Sequence, residues 1–323
     1  MNSACLARAV VLAIAAGAVV VCPAGAQQKI RYELKLSKGQ KYYVQNVTEQ
    51  QIFQAVMGQP QSMEQTIGIG VDLDVNDVDG SGNMLVYHKY SWIQFRQKGP
   101  VGEIVYDSAK KDVRVPAGAE GFAALVGEGY LMKLTPRGRV VEVKGAERMA
   151  ANVRRKLPPG RTGDQMMKPL GRYFTEKAIK EGTEASMGIY PDKPVGVGDS
   201  WNTKIVLSQG FAVIVESEWA VKGRKEGVAT VGIVSTIKPN PKAEPLDMGV
   251  MKMSYQLSGK QDGTMQLQES TGMVLSSKMD QEISGEVKMV IASGDPGRTA
   301  GQETVIPMTM KSTVINETAL RKN

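Results

Sequence analysis

The chain has 323 residues and a formal net charge of +7 at pH 7, with one histidine and two cysteines. That length suits one large or two modest domains. A single histidine excludes a zinc site with several histidine ligands. Both cysteines, Cys5 and Cys22, lie near the N-terminus, so we expect no disulfide, thiolate metal site or cysteine nucleophile in the rest of the chain.

The first residues have the pattern of an export signal. Arg8 precedes an apolar run from Ala9 to Val21, which is shorter than the ~20 residues that span a bilayer. The run is followed by Ala24-Gly25-Ala26, an A-x-A cleavage site. We therefore predict a signal peptide over residues 1–26 and a mature chain that begins at Gln27. A buried core helix is the alternative interpretation of the same run.

Lipidation at Cys22 is a further alternative for this segment. A lipidated cysteine normally follows a small residue, and here it follows Val21, so ordinary cleavage is favoured. The mature protein is then expected to be extracytoplasmic, either periplasmic or secreted. We expect it to have no transmembrane segment, because no later apolar run approaches spanning length.

The first clear strand pattern runs from Met63 to Val75. Mostly apolar residues alternate there with polar or small ones, which is the period of a strand with one buried and one solvated face. Such strands are typical of antiparallel sheets. Asn83 to Gln94 is rich in β-branched and aromatic residues, and we expect it to pair back through a turn at Asp79-Gly80.

The same turn has the spacing of a calcium loop. Asp77, Asp79 and Ser81 would be the first ligands, but His88 stands where such a loop needs a bidentate glutamate. Asp-Gly and Ser-Gly also provide the positive φ angles that a hairpin turn requires. A hairpin turn is therefore the favoured interpretation, with a metal site at these three residues as the weak alternative. No cofactor is expected.

The middle of the chain favours helices. The candidates are Ala117–Glu128, Ala146–Lys156 and Asp164–Glu181, the last with an apolar stripe, Asp164 as the N-cap and Gly182 at its end. Between Lys144 and Lys180 lie ten basic and three acidic residues, while the remaining chain is nearly neutral. Because the excess charge is confined to one segment, nucleic acid is not an expected partner.

A basic helix with an apolar stripe has two interpretations. It can lie on an anionic membrane surface, or it can bury its stripe against the sheet and leave its charges in water. For the first interpretation the candidate anionic-surface contacts are Arg148, Arg154, Arg155, Lys156, Lys168 and Arg172.

The C-terminal region predicts a long hairpin. Apolar residues share one parity from Met273 to Ile291, a loop follows at Ser293–Gly297, and the alternation returns over Thr304–Asn316. Gly285 inside the first strand predicts a bulge or a bend.

Two segments on either side of the helices are similar. Leu36–Val44 and Val195–Ile205 each have a glycine followed three residues later by a large aromatic residue. The predicted division is an N-terminal β module (27–143), a basic helical insertion (144–190) and a C-terminal β module (191–323). Internal duplication would explain this order, and chance similarity is the alternative.

The predicted fold is α+β and mainly antiparallel. We expect one large curved sheet or two packed sheets, with the helical insertion covering one face.

The same turns and strand starts support a family resemblance. The segments KGQKYYV, DVDGSGN, LTPRGRVVEV, PVGVGDSW and STGMV resemble an uncharacterised family of exported β-rich bacterial proteins. That resemblance implies an exported β-rich protein and no particular activity. A looser similarity, in fold only, is to periplasmic lipoprotein carriers, whose curved antiparallel sheet wraps around helices.

The favoured function is that of an exported non-enzymatic protein that binds an apolar ligand between sheet and helices, or an envelope partner. Methionines at predicted inward positions would make such an interior adaptable, although they would serve equally as core: Met273, Met279, Met289, Met308 and Met310.

A carboxylate-dependent hydrolase acting on an extracytoplasmic substrate is the alternative. Glu216 and Glu218 share a strand face and are the candidate acid and base, although polar residues on a solvated face look the same. His88 is the only residue available for a Ser-His-Asp mechanism. It is more simply interpreted as a strand residue packed beside Tyr90 or Trp92.

Overall fold

The computed structural model describes residues 28–56, 58–100, 102–110, 114–208, 212–247, 251–291 and 301–321. The predicted signal peptide and the predicted loop at 293–297 lie outside these ranges. The described strands are β1 (Lys41–Val56), β2 (Gln59–Val78), β3 (Met84–Gly99), β4 (Gly102–Asp107), β5 (Gly129–Leu134), β6 (Val140–Lys144), β7 (Ser200–Val206), β8 (Val213–Lys225), β9 (Val228–Pro239), β10 (Leu246–Asp247), β11 (Met251–Gln268), β12 (Val274–Ile291) and β13 (Glu303–Leu320). The described helices are α1 (Glu120–Leu125), α2 (Ala146–Lys156), α3 (Arg161–Gly171), a 3-10 helix (Arg172–Phe174) and α4 (Glu176–Met187).

All of these strands belong to one antiparallel sheet. Its order is β6-β5-β3-β2-β1-β13-β12-β11-β9-β8-β7, while β4 pairs with β3 and β10 pairs with β11. The sheet is continuous because β1 pairs with β13 over Tyr42–Leu320 to Gln54–Met308. The mainly antiparallel prediction is confirmed, and of the two predicted arrangements the structure has the single sheet.

Residue parity divides the sheet into two faces. We call the face that carries Val86, Ile93, Trp219, Val231 and Leu267 the inner face, since these side chains are buried in one apolar cluster together with helix residues. The opposite, outer face carries the exposed positions of the same strands. The strict alternation in the sequence thus produces a sheet with one packed and one solvated face.

The helices pack on the inner face. Met149 and Val153 of α2, Phe174 of the 3-10 helix and Ile179 of α4 are buried in the same cluster as the strand residues. We call this group the first apolar cluster; it also contains Tyr32, Leu34, Met84, Leu134, Met132, Ile233 and Met265. Of the predicted apolar stripe, Phe174 is buried in this cluster and Met166, Met167 and Leu170 pack against it, whereas Tyr173 is 55% exposed.

The prediction of one continuous helix over Asp164–Glu181 is wrong. The structure has two helices separated by the 3-10 turn, and Thr175 has extended backbone and caps α4 by accepting the N–H of Ala178 at 3.1 Å. Asp164 lies inside the first turn of α3, whose N-cap is Gly160. Gly182 lies within α4 and does not end it.

Gly285 does not form the predicted bulge. The pairing of β12 continues in register at Gly285, which lies opposite Leu257 of β11 and Met308 of β13. Its φ of +149° favours glycine, and a Cβ there would lie 2.0 Å from the carbonyl oxygen of Gln256. A side chain at this position would therefore push β11 and β12 apart.

Candidate functional site

A row of uncharged polar side chains crosses the inner face of the sheet. The nine residues are direct partners in register from β3 to β7, so they point to the same side. We call them the polar row: Gln97, Gln65, Gln50, Ser312, Gln281, Gln261, Ser235, Ser217 and Thr203.

Hydrogen bonds link neighbours along the row. Gln65 donates to Gln97 at 3.0 Å and accepts from Gln50. Further along, Ser312 donates to Gln281 at 3.1 Å, Gln281 donates to Gln261 at 2.6 Å, the Ser217 and Ser235 hydroxyls lie 2.8 Å apart, and the Trp219 indole N–H donates to Thr203 at 2.8 Å. The row thus satisfies much of its own hydrogen bonding on the face that carries the apolar clusters.

The polar row separates the first apolar cluster from a second one. Along β12, Met279 packs against the first cluster, Gln281 belongs to the row, and Ile283 packs against the second. The second apolar cluster consists of Leu257, Val287, Ile306 and Met308, with Ile52, Val56, Met253, Tyr255, Ile283 and Met289 packed around them.

Among the described residues, side chains from strands alone build the second apolar cluster. Its members come from β1, β11, β12 and β13, and six of the ten are only partly buried. At its centre Leu257 is 1% exposed. Burial raises the pKa of the Tyr255 hydroxyl, Tyr173 raises it further, and Arg172 lowers it. Because Tyr173 and Arg172 belong to the 3-10 helix, this helix lies near the Tyr255 edge of the cluster. Apolar surface therefore continues beyond the part of the sheet that the helices cover.

A cleft of about 570 Å³ adjoins this cluster, where the end of the β1–β2 hairpin meets β12 and β13. Phe53, Ala55 and Pro60 line one side, and Pro307 and Met308 line the other. Phe53 is 45% exposed, whereas Met308 belongs to the second apolar cluster. A larger cavity of about 780 Å³ is lined by charged outer-face residues of β1, β2, β3, β11, β12 and β13 and by four members of the polar row, Gln50, Gln65, Gln281 and Ser312.

Comparison with known proteins identifies the family. Residues 81–274, more than half of the chain, match the model described as "Family of unknown function (DUF6263)". The chain belongs to DUF6263. Its expected resemblance to an uncharacterised family is thereby confirmed, and no curated protein matches the chain.

Solved structures resemble this DUF6263 chain only weakly. A structure titled "Lipid-protein interactions in lipovitellin" matches with a TM-score of 0.42 and 8% identity, over 88% of this chain and 25% of that one. The chain thus spans a quarter of that lipovitellin chain. The Pseudomonas aeruginosa OccK2 (OpdF) structure in complex with glucuronate matches with a TM-score of 0.18 and 6% identity, over 88% of this chain and 99% of that one. These values support no functional conclusion.

Among the described residues of the DUF6263 chain, no helix is long and apolar enough to cross a membrane.

The methionines that the sequence suggested for the interior are divided between the two clusters. Met273 is buried in the first cluster and Met279 packs against it, whereas Met289 and Met308 belong to the second. Met310 is buried and lies opposite both Ile52 and Ile283.

The calcium-like spacing belongs to a hairpin turn, as predicted. The Asp79 carboxylate accepts the N–H groups of Ser81 at 3.0 Å and Asn83 at 2.9 Å, and it pairs with Lys133 at 2.7 Å. Hydrogen bonds from Lys133 and Asn83 lower the pKa of Asp79. Asp77 pairs instead with Lys38 at 3.0 Å. Within the described ranges no group of three acidic, histidine or cysteine side chains is placed to hold a metal ion.

His88 lies on the inner face of β3 and is partly buried. It stacks on Tyr130 with ring centroids 4.6 Å apart and meets the edge of Tyr90 at 4.9 Å, which confirms one of its two predicted neighbours. Its Nδ1 is buried without a hydrogen-bond partner, and burial lowers the pKa of His88 to about 4. The imidazole is therefore neutral at physiological pH.

The candidate acid and base of the hydrolase alternative lie on the outer face. Glu216 contacts Lys204 at 3.0 Å and Lys238 at 2.6 Å, and hydrogen bonds from Lys238 and Lys204 lower its pKa. Glu218 lies two residues further along the same face. A carboxylate held ionised by two lysines is poorly suited to act as a general acid.

Four of the six candidate anionic-surface residues make contacts within the fold: Arg154, Arg155, Lys156 and Arg172. Arg154 pairs with Asp164 at 2.7 Å and donates to the carbonyls of Pro158 and Gly160, while Lys156 pairs with Glu128 at 2.8 Å. Arg155 donates to Asn152, and the side chains of Arg148 and Lys168 are exposed.

Sequence reasoning missed the polar row. One of its members was visible, because Gln65 interrupts the apolar parity between Met63 and Ile67. The other members of the row could not be predicted, because they come together through pairing of strands that are distant in the sequence, and a single sequence does not show which strands pair.

Proposed function

We propose that this DUF6263 protein is an exported, non-enzymatic binding protein that holds a lipid-like amphiphile on the inner face of its sheet. The apolar chain lies along the second apolar cluster, and the polar end meets the polar row. One observation carries the proposal: in the part of the chain that the structure describes, strand side chains form a partly exposed apolar cluster, and an uncharged hydrogen-bonding row borders it.

The apolar part of the site suits a flexible hydrocarbon chain. Each methylene transferred from water contributes about 0.8 kcal/mol, so a chain of about twelve carbons gives on the order of 10 kcal/mol before the cost of association. Met253 and Met289 are unbranched and can adjust to different chain shapes. These properties support binding of a chemical class rather than of a single rigid compound.

The polar part of the site suits a head group that forms hydrogen bonds without carrying charge. The amides of Gln50, Gln65 and Gln281 offer donors and acceptors in one line. A carboxylate placed there would lose hydration without gaining a cationic partner from the row, which is costly.

Export is part of the same proposal. The A-x-A site at residues 24–26 and the absence of cysteine after Cys22 suit an extracytoplasmic protein. An amphiphile that crosses an aqueous compartment needs its apolar chain shielded from water, which an inner-face site would provide.

The test is native mass spectrometry with lipid extraction on the mature protein purified from its own envelope fraction. A copurifying amphiphile is expected with the wild-type chain and not with Met253→Lys, which places a charge in the second apolar cluster. The matched control is Gln256→Lys, an exposed outer-face position on the same strand, which should retain the ligand. If only bare protein is recovered and an added monoacylglycerol does not bind, the proposal is wrong.

Contact with an anionic envelope surface is a second candidate. Arg148, Arg155 and Lys168 are exposed on α2 and α3, whose apolar sides are packed inward. Together with Arg154, Lys156 and Arg172 they could contribute about 1 kcal/mol per basic residue near anionic lipid. Sedimentation with anionic vesicles should weaken when the three exposed residues become Gln, and zwitterionic vesicles give the baseline.

A further inference from the structure

We infer that the amphiphile enters and leaves through the seam between β1 and β13 at Pro307. This inference rests on the proposed function, since it names the route to the same site. It adds which strands border the route and which residues line it.

The ladder between β1 and β13 ends at this place. Their pairing runs from Tyr42–Leu320 to Gln54–Met308 and stops one residue before Pro307. Proline has no N–H and cannot donate to a ladder. The end of β1 at Ala55 and Val56 therefore lies beside β13 without pairing to it.

The neighbouring seams remain paired in this region. β12 pairs with β13 as far as Val290–Glu303, and β11 pairs with β12 as far as Met251–Ile291. On the other side β1 pairs with β2 to its last residue, Val56 opposite Gln59. Passage through any of these seams would break ladder hydrogen bonds at about 1 kcal/mol each, whereas among the described residues the register of β1 with β13 ends before this point and Pro307 has no N–H to donate.

The cleft and the second apolar cluster meet at this seam. Met308 lines the cleft and is also one of the four buried residues of the cluster. Ile306 and Val56 flank the seam within the same cluster. On the outer side the cleft is lined by Phe53, Pro60 and Pro307. Apolar side chains are thus present from the outer mouth to the inner site.

Gly285 keeps the wall beside Met308 free of a side chain. It lies directly opposite Met308 and lines the same cleft. Met308 has flexible torsions and can change rotamer to admit a chain. A hydrocarbon chain can therefore pass by movement of one unbranched side chain.

The test closes the seam covalently. Ala55 and Pro307 follow Gln54 and Met308 in register, and the chain has no cysteine after Cys22, so Ala55→Cys with Pro307→Cys introduces a unique pair. The control is Gln51→Cys with Lys311→Cys, a directly paired position on the outer face of the same two strands. Stopped-flow fluorescence then follows binding of N-phenylnaphthylamine before and after oxidation, and again after reduction.

Closing the seam should slow uptake and release of the probe by at least about tenfold, with little change in the dissociation constant, and reduction should restore both rates. The control pair should leave the rates unchanged. If oxidation leaves the Ala55–Pro307 thiols free, a short bismaleimide bridges them, and Ala55→Trp fills the mouth without a covalent bond.

The two proposals fail differently. Binding of the probe at unchanged rates in the bridged protein and in Ala55→Trp would overturn the route and leave the binding site standing. Absence of probe binding in every variant that keeps its circular dichroism spectrum and melting temperature would overturn the binding site, and the route with it.

Discussion

The hydroxyls of Ser217 and Ser235 lie 2.8 Å apart across β8 and β9, and both side chains are buried. They are direct partners in register on the inner face and lie in the polar row between Gln261 and Thr203. Because each hydroxyl is the other's partner, the pair behaves as one unit in the energetics of the sheet.

Removal of both hydroxyls should therefore lower the free energy of unfolding by less than the sum of the two single losses. Ser235→Ala leaves the Ser217 hydroxyl buried without its partner, and we expect the free energy of unfolding to fall by about 1–3 kcal/mol. The double variant with Ser217→Ala should lose less than the sum of the two single changes. Urea denaturation of the four proteins measures the coupling, and strictly additive losses would contradict it.

The histidine predicts a pH dependence of stability. The pKa of His88 is lowered to about 4 in the folded chain, against 6.5 as the model-peptide value for the unfolded chain. Between these values the unfolded chain binds the proton and the folded chain does not, so stability falls as pH decreases from about 6.5 towards 4 and is unaffected by this group above that range. The full loss is about 3 kcal/mol.

Replacement of the imidazole checks the assignment. His88→Phe keeps a ring against Tyr130 and Tyr90 and removes the titrating group. Urea unfolding curves at pH 7, 6 and 5 should give a smaller decline for the variant than for the wild-type chain. Equal declines would mean that carboxylates, and not His88, set the acid sensitivity.

Much of the sheet was predictable from alternation. The alternation over Met63 to Val75 correctly predicted β2 and its two faces. The Asp79-Gly80 pair correctly predicted the turn to β3, because both signals are local in the sequence. The break between α3 and α4 was missed, since Thr175 is capable of capping a helix but also occurs within one. Local propensity does not decide between these two outcomes.

The candidate site depended on information that alternation does not contain. The pairing of β1 with β13 joins residues more than 250 positions apart, and it brings Gln50 beside Ser312 and Ile52 beside Met310. Pro307 was present in the sequence inside a predicted strand. A proline is tolerated where a ladder ends, so Pro307 predicts the end of a ladder only once its neighbouring strand, β1, is known.

The hairpin turn at Asp79 predicts a difference between two neighbouring acids. Asp79→Ala removes the acceptor for the N–H groups of Ser81 and Asn83 and the partner of Lys133, and it should lower the melting temperature. Asp77→Ala removes an exposed contact with Lys38 and a backbone hydrogen bond from Val78, and should lower the melting temperature less. Thermal melts with calcium and with chelator complete the test. A calcium-dependent rise that disappears in Asp77→Ala would restore the metal interpretation.

The N-terminal segment is held by a shielded ion pair. Arg224 contacts Glu269 through two hydrogen bonds of 2.5 and 3.0 Å and also donates to the carbonyl of Gln28 at 2.8 Å. Arg224→Met should reduce the free energy of unfolding by about 2 kcal/mol, as charged hydrogen bonds are lost. It should also speed tryptic cleavage after Lys29 and Arg31, measured by mass spectrometry. The control is Lys225→Met, which removes an exposed surface ion pair. Unchanged cleavage would show that other contacts hold the segment.

The uncharged polar row predicts which head groups bind. Dodecanoate and its glycerol monoester have the same apolar chain, and only the carboxylate must lose a charged group's hydration beside Gln281 and Ser312. We expect calorimetry at pH 7.5 to give at least about tenfold tighter binding of the ester. Gln281→Lys supplies a cation in the row and should reverse the preference, whereas Gln256→Lys on the outer face should leave it unchanged. Equal affinities in the wild-type chain would place the head group away from the row, and a reversal by both lysines would show only a general effect of net charge.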